Sequence, residues 1–188
     1  MRAAIFLDRD GVINENRADY VKSRGEFVFL PGVMQPLRRL AQSDLAIVVI
    51  TNQSAIGRGL VSPEEAEAIN RFMVEEIERL GGRVDGLFCC PHRPDEGCEC
   101  RKPRPGLLLR AAKELCLDLQ RSFLVGDALS DVEAARAAGC QPVLVLTGRG
   151  KEQLQESNPA LRDGCHIVAG LAEAVDWILQ QERFATTR

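Results

Sequence analysis

The stretch Ala3-Ala4-Ile5-Phe6-Leu7-Asp8-Arg9-Asp10-Gly11-Val12 decides the fold. Its apolar run does not alternate, as a strand buried on both faces requires, and Asp8-Arg9-Asp10 marks the strand's carboxyl end. The pattern recurs. Residues 46–50 run into Thr51-Asn52-Gln53-Ser54, and residues 122–125 run into Gly126-Asp127, with Asp131 one helical turn further on. Apolar runs at 86–90, 142–146 and 166–168 supply further strand candidates. Helical spacing falls between them, at 33–41, 106–116, 130–138 and 171–181. The clearest helix starts at Ser62-Pro63-Glu64-Glu65, which combines an N-cap serine, a proline at the first helical position and a capping-box glutamate. Ala66, Ile69, Met73, Ile77 and Leu80 keep the helical period until Gly81-Gly82 ends it. Strands alternating with helices predict an α/β fold, a parallel sheet covered by helices on both faces.

The 188 residues, 45% hydrophobic and 27% charged, suit a single globular domain spanning 1–188, without repeats or a dividing linker. A net charge of −3 gives no general attraction to nucleic acid or to acidic membranes. The longest apolar stretch, 45–50, is far short of the about 20 residues a membrane span needs. The first residues enter an apolar run at once, without signal-peptide architecture, so a cytoplasmic protein is expected. Residues 185–188 are read as a frayed end.

The seven cysteines are an odd number, which with the full-sized core argues against a disulfide framework. Cys116, Cys140 and Cys165 are scattered and are read as small buried apolar residues. Cys90, His92, Cys98 and Cys100 instead fall in one short polar loop with Pro91, Arg93, Pro94, Asp95, Glu96 and Gly97. Three thiols and an imidazole suit tetrahedral Zn²⁺, and four protein ligands mark a structural centre. Cys89 is then the spare, facing the core from its strand.

In an open parallel sheet, ligands bind outside the carboxyl ends of the strands. Three strands deliver carboxylates and hydroxyls to that edge. Asp8, ionised at neutral pH, suits a nucleophile, and Asp10 suits a proton donor and acceptor if its pKa is raised. Asp127 adds oxygen ligands for a hard cation such as Mg²⁺. Thr51, the N–H groups after it and Lys102 suit phosphate oxygens.

Asp8-Arg9-Asp10-Gly11-Val12, Thr51-Asn52, Lys102 and Gly126-Asp127 with Asp131 resemble the four ordered motifs of the haloacid dehalogenase superfamily. Val12 stands where many members have threonine, and Ala128 where many carry a polar residue. The resemblance implies a Rossmann-like α/β fold without a large cap domain. It also implies a two-step phosphomonoester hydrolysis in which Asp8 attacks phosphorus and Asp10 serves as acid, then base. Asp8, Asp127 and the backbone carbonyl of Asp10 would hold Mg²⁺, with Asp131 in a supporting role, while Thr51 and Lys102 stabilise charge.

The cysteine loop running into Arg101-Lys102-Pro103 is similar to that of the heptose 1,7-bisphosphate 7-phosphatases and the related histidinol-phosphate phosphatases. From this group come a phosphorylated small sugar as the expected partner and a setting in heptose biosynthesis; the chain itself is expected to be a monomer. The substrate-binding candidates are Asn16, Arg17 and Tyr20 after the first strand, Asn52, Gln53, Ser54 and Arg58 after the second, and Arg101. Histidinol-phosphate hydrolysis and non-catalytic phosphate binding are the competing expectations.

Overall fold

In the computed structural model, which describes residues 1–156 and 163–186, the opening apolar run forms β1 (Ala4–Leu7), an inner strand of a six-stranded sheet. On one side lie β2 (Ala46–Asn52) and β3 (Gly86–Cys90). On the other lie β4 (Phe123–Gly126), β5 (Gln141–Val145) and β6 (His166–Val168). The order is β3-β2-β1-β4-β5-β6, and each neighbouring pair is parallel.

The absence of alternation has its reason in the packing, because both faces are covered. Ile5, Leu7, Ile47, Val49 and Val125 enter one core beneath α1 (Met34–Ala41), α3 (Pro63–Arg79) and α7 (Leu171–Thr186). Ala4, Phe6, Val48, Ile50 and Leu124 enter a second core beneath α4 (Gly106–Leu115) and α5 (Leu129–Ala138). α3 begins as its sequence predicts, with Ser62 Oγ accepting from the Glu65 N–H at 3.1 Å. Gly81 follows it at φ +86°, where a side chain would be strained.

Several differences from the sequence reading have local causes. β2 extends through Thr51 and Asn52, which still pair with Cys89 and Cys90 of β3. Two short helices, α2 (Ser54–Gly57) and α6 (Gly150–Glu156), lack the apolar periodicity that reveals longer ones. α7 continues past 181 to Thr186, so Ala185 and Thr186 are helical, and residues 187–188 lie outside the described residues. Cys140 is buried and Cys165 half-buried, but Cys116 is exposed. It caps α4 at φ +55°, returning its N–H to the Ala112 carbonyl, which holds it at the surface. Cys89 points away from the face that buries Cys90 and is half-buried, not in the core. Among the described residues no helix is long and apolar enough to cross a membrane.

Candidate active site and cysteine–histidine centre

The strand order reverses between β1 and β4, which opens a crevice at their carboxyl ends. Asp8 and Asp127 stand on its two sides. The Asp8 N–H donates to the Val125 carbonyl at 2.9 Å, fixing the end of β1 against β4. Lys102 arrives from the loop before α4 and is buried. Its Nζ lies 2.9 Å from Asp8 Oδ1, 2.7 Å from Asp131 Oδ1 and 3.2 Å from the Ile50 carbonyl. Asp131 Oδ2 also accepts from the Ala128 N–H at 3.0 Å, so this aspartate both caps α5 and pairs with Lys102. Burial pushes Asp8 up to about 6 despite the neighbouring ammonium, because Lys102 is shared with a second carboxylate. Burial works against the charge on Lys102 as well, but Asp131 and Asp8 carry its pKa above the usual lysine value.

Asp10 is held differently. Its Oδ1 accepts from Arg9 Nη2 at 3.1 Å and Asn14 Nδ2 at 2.9 Å, and its Oδ2 from Arg9 Nη2 at 3.0 Å and Gln53 Nε2 at 2.7 Å. Arg9 is itself buried, with Nη1 donating to Asn70 Oδ1 at 3.0 Å and its guanidinium 5.9 Å from the Phe27 ring centroid. Burial alone would raise Asp10, but Arg9 and these donors hold its carboxyl below the usual range. The raised pKa that an acid role asks of Asp10 is therefore not supplied by these neighbours. Both side-chain oxygens of Asp10 are engaged by these donors, so its backbone carbonyl is the group it offers a cation.

A cavity of about 400 Å³ opens over Asp8 and Asp10. Asn16, Arg17 and Tyr20 line one wall, and Asn52, Gln53, Ser54 and Arg58 another. Arg101, Lys102, Ser130 and Arg149 complete the polar lining. Tyr20 sits at φ +67°, rare for an aromatic residue, with its hydroxyl 3.3 Å from Ser54 Oγ. Thr51 lies beneath this surface, buried, its Oγ1 accepting from Gln53 Nε2 at 2.8 Å. A larger groove of about 580 Å³ beside α3 and β3 is mostly apolar, and the converging polar groups lie in the smaller cavity.

The cysteine loop converges as its spacing predicts. Cys90, Cys98 and Cys100 Sγ atoms are 3.2–3.6 Å apart, and His92 Nδ1 lies 3.6 Å from Cys90 Sγ and 3.2 Å from Cys100 Sγ. Zinc–thiolate bonds of about 2.3 Å imply tetrahedron edges of about 3.8 Å, so small outward shifts fit this donor set to Zn²⁺. Burial drives the Cys90 thiol well above its ordinary value. Cys98 ends below its own, since bonds with Cys100 and the Arg101 backbone outweigh burial.

The loop is stitched to the end of β2. The Gln53 and Gly57 N–H groups donate to the Cys90 and Pro91 carbonyls at 2.8 and 2.9 Å. The oxygen-rich centre also suits a cation: Asp8, Asp127 and Asp131 oxygens lie within 4.8 Å of one another, outnumbering the buried lysine.

A family profile described as HAD-hydrolase-like matches residues 99–174. The D-glycero-β-D-manno-heptose-1,7-bisphosphate 7-phosphatase of Bordetella bronchiseptica is 42% identical over 177 residues, 94% of this chain and 98% of that protein. The Pseudomonas aeruginosa protein of the same name is 41% identical, over 95% and 99%. The crystal structure of the B. bronchiseptica D,D-heptose 1,7-bisphosphate phosphatase, complexed with magnesium and phosphate, superposes with a TM-score of 0.89 and covers 96% of this chain and 99% of its own. The chain belongs to the heptose-bisphosphate phosphatase family of HAD-like hydrolases.

The phosphatase is thus a phosphomonoesterase, and Asp8, Lys102, Asp127 and Asp131 meet at its crevice. Sequence reasoning missed Arg9, Asn14, Asn70 and Arg149. Arg9 and Asn14 flank the motif aspartates, so adjacency was their signal. Asn70, in the middle of α3, carried none, because its neighbours only spell a helix.

Proposed function

We propose that this phosphatase removes the 7-phosphate of D-glycero-D-manno-heptose 1,7-bisphosphate through an aspartyl-phosphate on Asp8. The observation that carries the reading is the buried Asp8–Lys102 pair, 2.9 Å apart, at the floor of an arginine-lined cavity. The names of the 41–42% identical relatives favour the heptose substrate over histidinol phosphate. The chain acts as one domain and as a monomer, in a reducing cytoplasm that keeps the clustered thiols free to ligate. The sugar 1-phosphate it releases suits later activation in heptose biosynthesis.

Lys102 and the Arg9 N–H, 2.7 Å away, both engage Asp8 Oδ1, which fixes the carboxylate and leaves Oδ2 to attack phosphorus. Lys102 then pairs with the phosphoryl oxygens, and Gln53 orients Thr51 toward them. Asp10 starts ionised. The negative charge of an arriving phosphate opposes the effect of Arg9 and raises Asp10, which takes up a proton from solvent and then gives it to the leaving alkoxide as the ester P–O bond breaks. Asp10 next takes a proton from the water that hydrolyses the intermediate, restoring Asp8. Asp8, Asp127 and the Asp10 carbonyl would hold Mg²⁺, which when bound offsets repulsion between carboxylate and phosphate. Cys90, His92, Cys98 and Cys100 would hold a structural Zn²⁺. Arg101, whose Nη1 donates to the His92 carbonyl at 3.3 Å, presents its remaining donors to the second phosphate, with Arg17 and Arg58 beside it.

Side-by-side turnover of the heptose bisphosphate and histidinol phosphate tests the assignment. A kcat/KM for histidinol phosphate equal to or above that for the bisphosphate overturns it.

A further inference from the structure

β5 leads into Thr147-Gly148-Arg149-Gly150, a tight loop pressed against Asp127. Thr147 Oγ1 donates to the Gly11 carbonyl at 2.6 Å, tying the loop to the turn that carries Asp8 and Asp10. Gly11 and Gly148 close over the carboxylate together. A Cβ on either would lie 2.1 or 2.2 Å from Asp127 Oδ2, so both positions must remain glycine. Arg149 completes the enclosure with two contacts of different kinds. Its N–H donates to Asp127 Oδ2 at 2.8 Å, and its guanidinium Nη2 lies 3.4 Å from Oδ1.

The first contact is part of the loop. The second belongs to a side chain that is 50% exposed, whereas that of Asp127 is 0% exposed. A buried carboxylate without a counter-charge is costly, and Arg149 supplies that charge from the cavity side. A divalent cation on the same oxygen would repel the guanidinium at this distance. A phosphate beside the cation would offer it two oxygens instead. Ala128, next to Asp127, contributes no polar side chain that could take over this duty.

We infer that Arg149 is a displaceable counter-ion: its guanidinium neutralises Asp127 in the cation-free site, yields Oδ1 to the divalent cation, and then turns its donors to the substrate's phosphate. The inference rests on Asp8 and Asp127 forming the cation site. It makes Arg149 a positioning residue that links cation binding to phosphate binding, and such a coupling is reciprocal.

The test is a calorimetric titration of Mg²⁺ into phosphate-free protein, repeated with saturating inorganic phosphate, for the wild type, Arg149→Ala and Arg149→Lys. Every variant keeps the backbone N–H that holds Asp127, and thermal melting checks the fold. Without phosphate, Arg149→Ala binds Mg²⁺ roughly three- to tenfold more tightly than the wild type, the scale of one partly screened ion pair plus relieved repulsion. Phosphate then strengthens Mg²⁺ binding by a smaller factor in Arg149→Ala than in the wild type, and Arg149→Lys falls between. Unchanged or weaker Mg²⁺ binding by Arg149→Ala, or an equal phosphate effect in both proteins, overturns the role of Arg149. A wild type that binds no Mg²⁺ overturns the cation site itself, so the two failures are distinguishable.

Discussion

Asn52 and Lys102 clasp each other: Asn52 Nδ2 donates to the Lys102 carbonyl at 3.1 Å, and the Lys102 N–H donates to Asn52 Oδ1 at 3.2 Å. Both ends of the amide are used, so Asn52 holds the backbone that carries the buried lysine and joins the end of β2 to the cysteine loop. Asn52→Ala should lower kcat by roughly 10-fold or more, since a lost hydrogen bond of about 1–2 kcal/mol lets Lys102 drift from Asp8. KM should change less. Steady-state kinetics check this, and a raised KM at unchanged kcat would return Asn52 to simple substrate binding.

Asp8→Asn should abolish turnover while preserving the fold, because an amide cannot form the acyl phosphate and Lys102 keeps Asp131 as its partner. Activity and thermal melting on one preparation check it.

Asp10→Asn should slow ester hydrolysis by roughly 10²–10⁴, the usual scale of general acid–base loss. An aryl phosphate, whose leaving group needs no proton, should lose less. Equal losses with chemistry rate-limiting would move the acid role elsewhere.

The purified protein should carry one zinc per chain, and Cys98→Ser should reduce zinc content and activity together. The link is mechanical: the Cys90 and Pro91 carbonyls anchor Gln53 and Gly57, and Lys102 lies two residues beyond Cys100. Metal analysis of fresh, reduced protein checks the content. Full activity with an empty centre would separate the two.

The raised Asp8 gives a pH signature. An acid whose folded pKa is about 6 against an ordinary 3.8 contributes stability at low pH that is lost as pH rises through 6. The metal-free fold should therefore weaken from pH 4 to pH 7 through this group. Mg²⁺ must displace that proton below about 6, so the melting-temperature gain from Mg²⁺ should be larger at pH 8 than at pH 5. Melting scans with Mg²⁺ and with chelator check the sign.

The sheet was legible because β1, β2 and β4 must be apolar on both faces, and such runs stand out in any register. The ends of elements were less so: Thr51 and Asn52 read as loop residues, yet pairing with Cys89 and Cys90 keeps them in β2. The cavity residues came with the family resemblance, but their partners did not. Arg9 looks like a solvated arginine in the sequence and is in fact buried between Asn70, Asp10 and Phe27. Arg149 is far along the chain from Asp127, and the packing of Gly11 against Gly148, with the Thr147–Gly11 hydrogen bond, brings its loop there. Cys116 shows the reverse error, since a frequently buried residue type sits exposed at a helix end.

The cysteine–histidine centre pins its loop at two places, Cys90 with His92 and Cys98 with Cys100, and leaves 93–97 as an arch between them. Pro94 of that arch borders the substrate cavity, while Lys102, also at the cavity, lies beyond the arch and is fastened to Asn52 and Asp8. The arch can thus lengthen, shorten or change its chemistry without moving the lysine. Five residues between the two pairs of ligands can therefore reshape the Pro94 edge of the cavity, while the arginines that line the rest of it and the Asp8–Lys102 pair stay as they are.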